Sequence, residues 1–170
     1  ILFLIVLAVV FSMKEWTKVL WLVTLFTLGH SITLALAAYK VLEFPIYIIE
    51  FLIPLTIFIT GFVNVITTKK TSTKSNRLNL FFAFFFGFIH GLGFSNYFKM
   101  MIGQEQNKFL PLLEFSLGIE GAQIIIVLSI LIIGFILQNF LKTSKRDWVL
   151  VTSSIVIGFA IQMMLERIFW

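Results

Sequence analysis

Hydrophobic and polar positions in this chain fall into blocks. Apolar runs extend from Ile1 to Phe11, about Trp16 to Ala38, Pro45 to about Thr67, Leu78 to Phe98, Phe109 or Pro111 to near Phe140, and Trp148 to Phe169. Short polar connections separate them. Most runs approach the ~20 residues that a membrane-spanning helix requires. The fifth is longer, which predicts a tilted helix or one that extends past the interface. The first covers only about 16 Å of a ~30 Å hydrocarbon core, so it predicts a truncated span with more chain upstream. A signal-peptide core is the competing reading, but neither a basic leader nor a small-residue cleavage pattern accompanies it. No run alternates with period two, which argues against barrel strands. Helices satisfy their own backbone in lipid. The pattern predicts an all-α polytopic transmembrane bundle of six apolar segments, the first truncated, forming a single domain over residues 1–170.

Composition agrees with this picture. The chain is 59% hydrophobic and 12% charged, against about a quarter charged in soluble domains. It contains no cysteine, so disulfides and thiolate metal sites are excluded. The net charge of +5 does not point to nucleic acid, because the basic residues sit between apolar runs. Connections one, three and five hold Lys14, Lys18, Lys69, Lys70, Lys74, Arg77, Lys142, Lys145 and Arg146; the opposite side holds Lys40, Lys99, Lys108 and Arg167. Nine against four places the loops near 12–18, 68–77 and 141–147 in the cytoplasm. Trp16, Trp21, Trp148 and Trp170 lie near segment ends, as interface anchors do. The bilayer is then the main partner, and these spans are compatible with a homo-oligomer.

The candidate chemistry is a small set of polar residues inside the apolar runs. His90 interrupts a phenylalanine-rich stretch between Gly87 and the pair Gly91 and Gly93. His30 lies about 21 Å along its helix and His90 about 18 Å, both from the cytoplasmic end. Glu120 and Glu50 enter from the other side at comparable depth, with Glu114 nearer the surface. An unpaired charge at a helix centre costs on the order of 3 kcal/mol. Four such residues predict pairing among themselves or a shared ligand. Ser116, Glu120 and Gln123 share one helix face, flanked by Gly118 and Gly121, which would permit close packing. Thr24, Thr27 and Ser31 line another face, with His30 at its edge. Glu50, Pro54, Gly61 and Asn64 form a stripe in which Pro54 can free a carbonyl. Ser154, Gly158, Gln162 and Glu166 repeat every four residues. For Ser116, Gln123, Asn64 and Gln162 the competing role is hydrogen bonding between helices.

Neutral imidazoles with carboxylates suit a divalent transition metal: nickel, zinc, copper(II) or iron. A soft Cu(I) site is disfavoured without cysteine or a methionine cluster. The same residue types also build proton relays, so the residues leave both occupants open.

At these positions the chain resembles the HupE/UreJ family of small bacterial membrane proteins, in particular its second branch. The matching stretches are FTLGHSITLALA over 26–37, EFLIPLT over 50–56, GFIHGLGF over 87–94 and FSLGIEGAQ over 115–123. The resemblance implies a six- to seven-helix inner-membrane protein, usually described as a nickel or cobalt permease or an accessory of hydrogenase or urease. It carries metal or functional roles onto His30, Glu50, His90 and Glu120, with Gln123 beside them. The family's usual Asp-His pair precedes a leucine-rich run like Leu2 to Leu7, upstream of this chain's first residue. Its usual Asn-Leu-Gly and Glu-Leu-Gly-Gln stand here as Ser116-Leu117-Gly118 and Glu120-Gly121-Ala122-Gln123.

The expectation is therefore a membrane protein that binds and transports a divalent metal through His30, His90, Glu50 and Glu120, supported by Gln123, Ser31, Ser116 and Asn64. One rival is an intramembrane metal-dependent hydrolase, with Ser31 adjoining His30 but no H-E-x-x-H spacing. The other is a non-catalytic, proton-coupled partner subunit.

Overall fold

A computed structural model describes residues 1–68, 76–103 and 107–168, with side chains from residue 80 onward in the second stretch. Among the described residues six α-helices follow one another: α1 Leu2–Ala8, α2 Trp16–Ala38, α3 Ile46–Thr67, α4 Asn76–Ile102, α5 Phe109–Asn139 and α6 Lys145–Leu165. No strand occurs among the described residues. Five helices are long and apolar enough to cross a membrane, and the chain is a multi-pass helical membrane protein. Residues 69–75, most of the third connection expected to be a cytoplasmic loop near 68–77, and Trp170 lie outside the described residues.

Helix ends follow local chemistry that the apolar blocks did not mark. α6 begins at Lys145, three residues before the apolar run, because the Ser144 hydroxyl accepts the Asp147 N–H at 3.0 Å. α2 and α5 each close on a lysine in the left-handed region: Lys40 with φ 59° and Lys142 with φ 53°. The next N–H then reaches back, Val41 to Leu36 O at 2.8 Å and Thr143 to Leu137 O at 3.1 Å. These are the six-to-one bonds of a helix stop usually made by glycine. Before α2, the Ser12 N–H donates to Glu15 Oε2 at 3.2 Å, and Lys18 Nζ donates to Glu15 Oε1 at 2.9 Å.

α1 ends at Ala8 although the apolar run continues to Phe11. Its terminal carbonyls have no partner within the helix. Asn64 of α3 answers one of them, donating Nδ2 to Val6 O at 2.7 Å, and reaches Ser153 Oγ of α6 at 3.3 Å. Asn64 thus ties three helices together in an apolar setting.

α2 and α4 form the most extensive helix pair. Glycine makes this possible. A Cβ on Gly87 would collide with the Phe26 carbonyl, and one on Gly29 with the Phe84 carbonyl. One on Gly91 would collide with the His30 carbonyl and the Thr33 hydroxyl. Gly87 and Gly91 stand four apart on one face, the small-residue spacing that lets membrane helices touch backbone to backbone. Gly93 instead receives the Ile53 side chain of α3. Gly118 and Gly121 behave otherwise than expected: nothing lies within 4 Å of a Cβ at either. Their side of α5 faces away from the bundle, so they admit no neighbour within the chain.

A candidate site around two histidines

The glycine contacts hold His30 and His90 beside one another. Phe26 lies against both imidazoles, with ring centroids 6.2 Å from His30 and 5.2 Å from His90. Phe3 covers His90 at 5.0 Å and Phe94 covers His30 at 5.4 Å. The two imidazoles therefore share a pocket walled by phenylalanine, contributed by α1, α2 and α4.

His30 is 2% exposed. Among the described residues, neither Nδ1 nor Nε2 has a hydrogen-bond partner. Its hydroxyl neighbours are committed elsewhere: Thr33 bonds to the Gly29 and His30 carbonyls at 3.2 and 3.1 Å, and Ser31 donates to Ser116 Oγ at 2.8 Å. The serine next to His30 therefore makes no serine–histidine pair with it.

His90 is half-buried and has a defined partner. Its Nε2 stands 3.1 Å from Thr56 Oγ1. The Thr56 hydroxyl also lies 2.7 Å from the Ile53 carbonyl. A hydroxyl has one proton, and a carbonyl can only accept. Thr56 therefore donates to Ile53 and accepts from His90, which fixes the proton on Nε2 and leaves the lone pair on Nδ1. Thr56 belongs to the 50–56 motif, but sequence reasoning did not assign it to the site. The available signal was a hydroxyl inside an apolar helix, two residues past Pro54.

The carboxylates are placed differently. Glu120 is half-buried on α5 and accepts the Thr24 hydroxyl of α2 at 2.7 Å. Its helix neighbour Gln123 accepts the Thr27 hydroxyl at 3.0 Å. With Ser31–Ser116, these bonds join the Thr24, Thr27, Ser31 stripe to the Ser116, Glu120, Gln123 stripe. Gln123 and Ser116 thus make the helix-to-helix bonds weighed as their alternative role. Glu50 is exposed near the start of α3, and its backbone, rather than its side chain, is engaged: Arg167 Nη1 donates to the Glu50 carbonyl at 3.3 Å. Pro54, four residues on, lacks the N–H that would take this carbonyl. Gln162 donates to Glu166 within α6 at 3.1 Å, so its bond is intrahelical. The buried polar residue of α6 is Ser153, outside the stripe read from the sequence.

The histidines make no hydrogen bond or ion pair with Glu50 or Glu120. Among the described residues, no three His, Cys, Asp or Glu side chains gather as a group that could hold a metal ion. The chain brings together the two imidazoles, with Thr56 behind one of them. It holds Asn64 at the far end of α3. A cavity of about 180 Å³ between α1, α3 and α4 is apolar apart from Thr60 and Asn64 and contains neither histidine.

No curated protein and no solved structure matches the chain. A family model described as HupE / UreJ protein matches residues 1–167. With the His-bearing glycine helices and the α2–α5 polar seam now located inside that span, the chain belongs to the HupE/UreJ family.

Proposed function

We propose that this protein is a membrane carrier of divalent transition-metal ions, nickel or cobalt among them, with His30 and His90 as ligands to the ion in transit. The observation that carries this reading is His30, whose two ring nitrogens are buried without partners among the described residues. Leaving a buried polar group unbonded costs roughly 2–7 kcal/mol, depending on the reference state. A ligand that bonds the imidazole would offset that cost.

The fit is good for nitrogen donors. Metal-bound histidines usually donate their second ring N–H to an oxygen, as His90 does to Thr56. Two nitrogens fall short of the four ligands of a closed structural site. That suits a cargo, which must bind and then leave. Glu120 and Glu50 serve as flanking carboxylates that attract the cation or exchange it for protons. The connections near 12–18, 68–77 and 141–147 face the cytoplasm across the inner membrane, by their excess of lysine and arginine.

The test is metal content of the purified protein after exposure to nickel, cobalt, zinc, copper or iron. The expected result is bound metal that disappears in His30→Ala and His90→Ala proteins that remain folded. Equal metal in parent and variants overturns the proposal. A proton-coupled subunit without metal is the second reading. The Glu120–Thr24 bond supports it, because it satisfies the carboxylate without a cation. That reading expects pH, and not metal, to alter the conformation.

A further inference from the structure

At the opposite end of the bundle from the basic connections, a polar cavity of about 270 Å³ opens between the α2–α3 connection and the last turns of α4. Glu43, Ser95, Asn96 and Lys99 supply its polar lining, and Ile49 and Leu92 are among its apolar residues. Glu43 and Lys99 carry opposite charges and form no ion pair among the described residues. The cavity therefore offers both signs of charge to a guest. Such a lining suits water and small hydrated ions rather than a lipid tail.

What lies beneath the cavity gives it a direction. Ile49 continues along α3 to Ile53, which sits on Gly93 of α4, and then to Thr56, which holds His90. Seven residues separate Ile49 from Thr56, about 10 Å of helix. On α4, Leu92 stands two residues from His90. The cavity and His90 thus share one pair of helices, with Ile49 and Ile53 both resting on Gly93 along the way. Ile53 rests on Gly93, which has no side chain of its own.

We propose that this cavity is an aqueous antechamber to the histidine pair, and that Ile53, seated on Gly93, is the apolar plug between them. The inference takes the His30–His90 site proposed above as the destination. It concerns water access alone, so it can be tested without metal.

The chain has no cysteine, so single cysteines report access directly. A thiol reacts as thiolate, which hydrocarbon suppresses and water permits. Membranes carrying single-cysteine proteins are treated with a charged, membrane-impermeant thiol reagent. Ser95→Cys should react about tenfold or more faster than Ile125→Cys on the outward face of α5, because only the former meets water. It should react from the face opposite to Lys142→Cys. Thr56→Cys should be unreactive alone and become reactive when Ile53→Ala is added. If Ser95→Cys does not accumulate, Asn96→Cys gives the same readout. Reaction at Ser95→Cys no faster than at Ile125→Cys, or from the same face as Lys142→Cys, overturns the antechamber. An unchanged Thr56→Cys on adding Ile53→Ala overturns the plug. Failure of metal binding with these labelling results intact would sink the carrier reading and leave the water path standing.

Discussion

His90 donates its Nε2 proton to Thr56, across 3.1 Å, because the Thr56 hydroxyl is already committed to the Ile53 carbonyl. One backbone oxygen on α3 thereby sets which nitrogen of a histidine on α4 is free. Oxygen partners of this kind typically contribute 10- to 100-fold to metal affinity. Thr56→Val should therefore weaken nickel or cobalt binding by about tenfold or more. Thr56→Ser should retain most of it. A metal titration of the three proteins checks this, and equal affinity for Thr56→Val and Thr56→Ser would remove the tautomer argument.

The α2–α4 contact predicts a sharp difference among glycines. Gly91→Ala drives a methyl into the His30 carbonyl and the Thr33 hydroxyl. Overpacking of this kind costs about 1–3 kcal/mol. Gly118→Ala meets nothing within 4 Å, and should stay within about 0.5 kcal/mol of the parent. Thermal unfolding in one detergent compares them; equal losses would mean that the glycine contact does not organise the pair.

Asn64 offers a buried test outside the histidine pocket. It is 8% exposed and donates to both Val6 and Ser153. Asn64→Leu leaves the Val6 carbonyl without this donor, at a cost of about 1–3 kcal/mol. The loss should appear as a lower unfolding temperature with metal binding retained. A variant as stable as the parent would show that α1 does not depend on this bond.

Arg167 and Pro54 should be energetically coupled through the Glu50 carbonyl. Arg167→Ala should cost about 0.5–1.5 kcal/mol in the parent. The cost should shrink in a Pro54→Ala background, where residue 54 regains an N–H for that carbonyl. A double-mutant cycle reads the coupling directly, and strict additivity would contradict it.

The long apolar runs and their helical character were readable from the sequence, because lipid constrains length and backbone bonding so strongly. Gly87, Gly91 and Gly93 beside His90 also announced close neighbours. Helix ends were less readable. Ser144 starts α6 before hydrophobicity rises, and α1 stops inside an apolar run. Hydropathy does not register either change. The pairing of polar stripes needed three dimensions. Thr24 and Glu120 are 96 residues apart, and only the approach of α5 to α2 shows that the carboxylate meets a hydroxyl rather than an imidazole. Gly118 and Gly121 were misread for a related reason. A glycine signals room for a neighbour, but the fold decides whether one arrives.

The most direct test of the central claim is anomalous diffraction from crystals of the nickel- or cobalt-loaded protein. The account predicts a peak bonded to His30 and to Nδ1 of His90, at the ~2.0–2.1 Å typical of a metal–imidazole bond such as zinc–nitrogen. A loaded protein with no peak between the two rings, or with its metal at other residues, would contradict it.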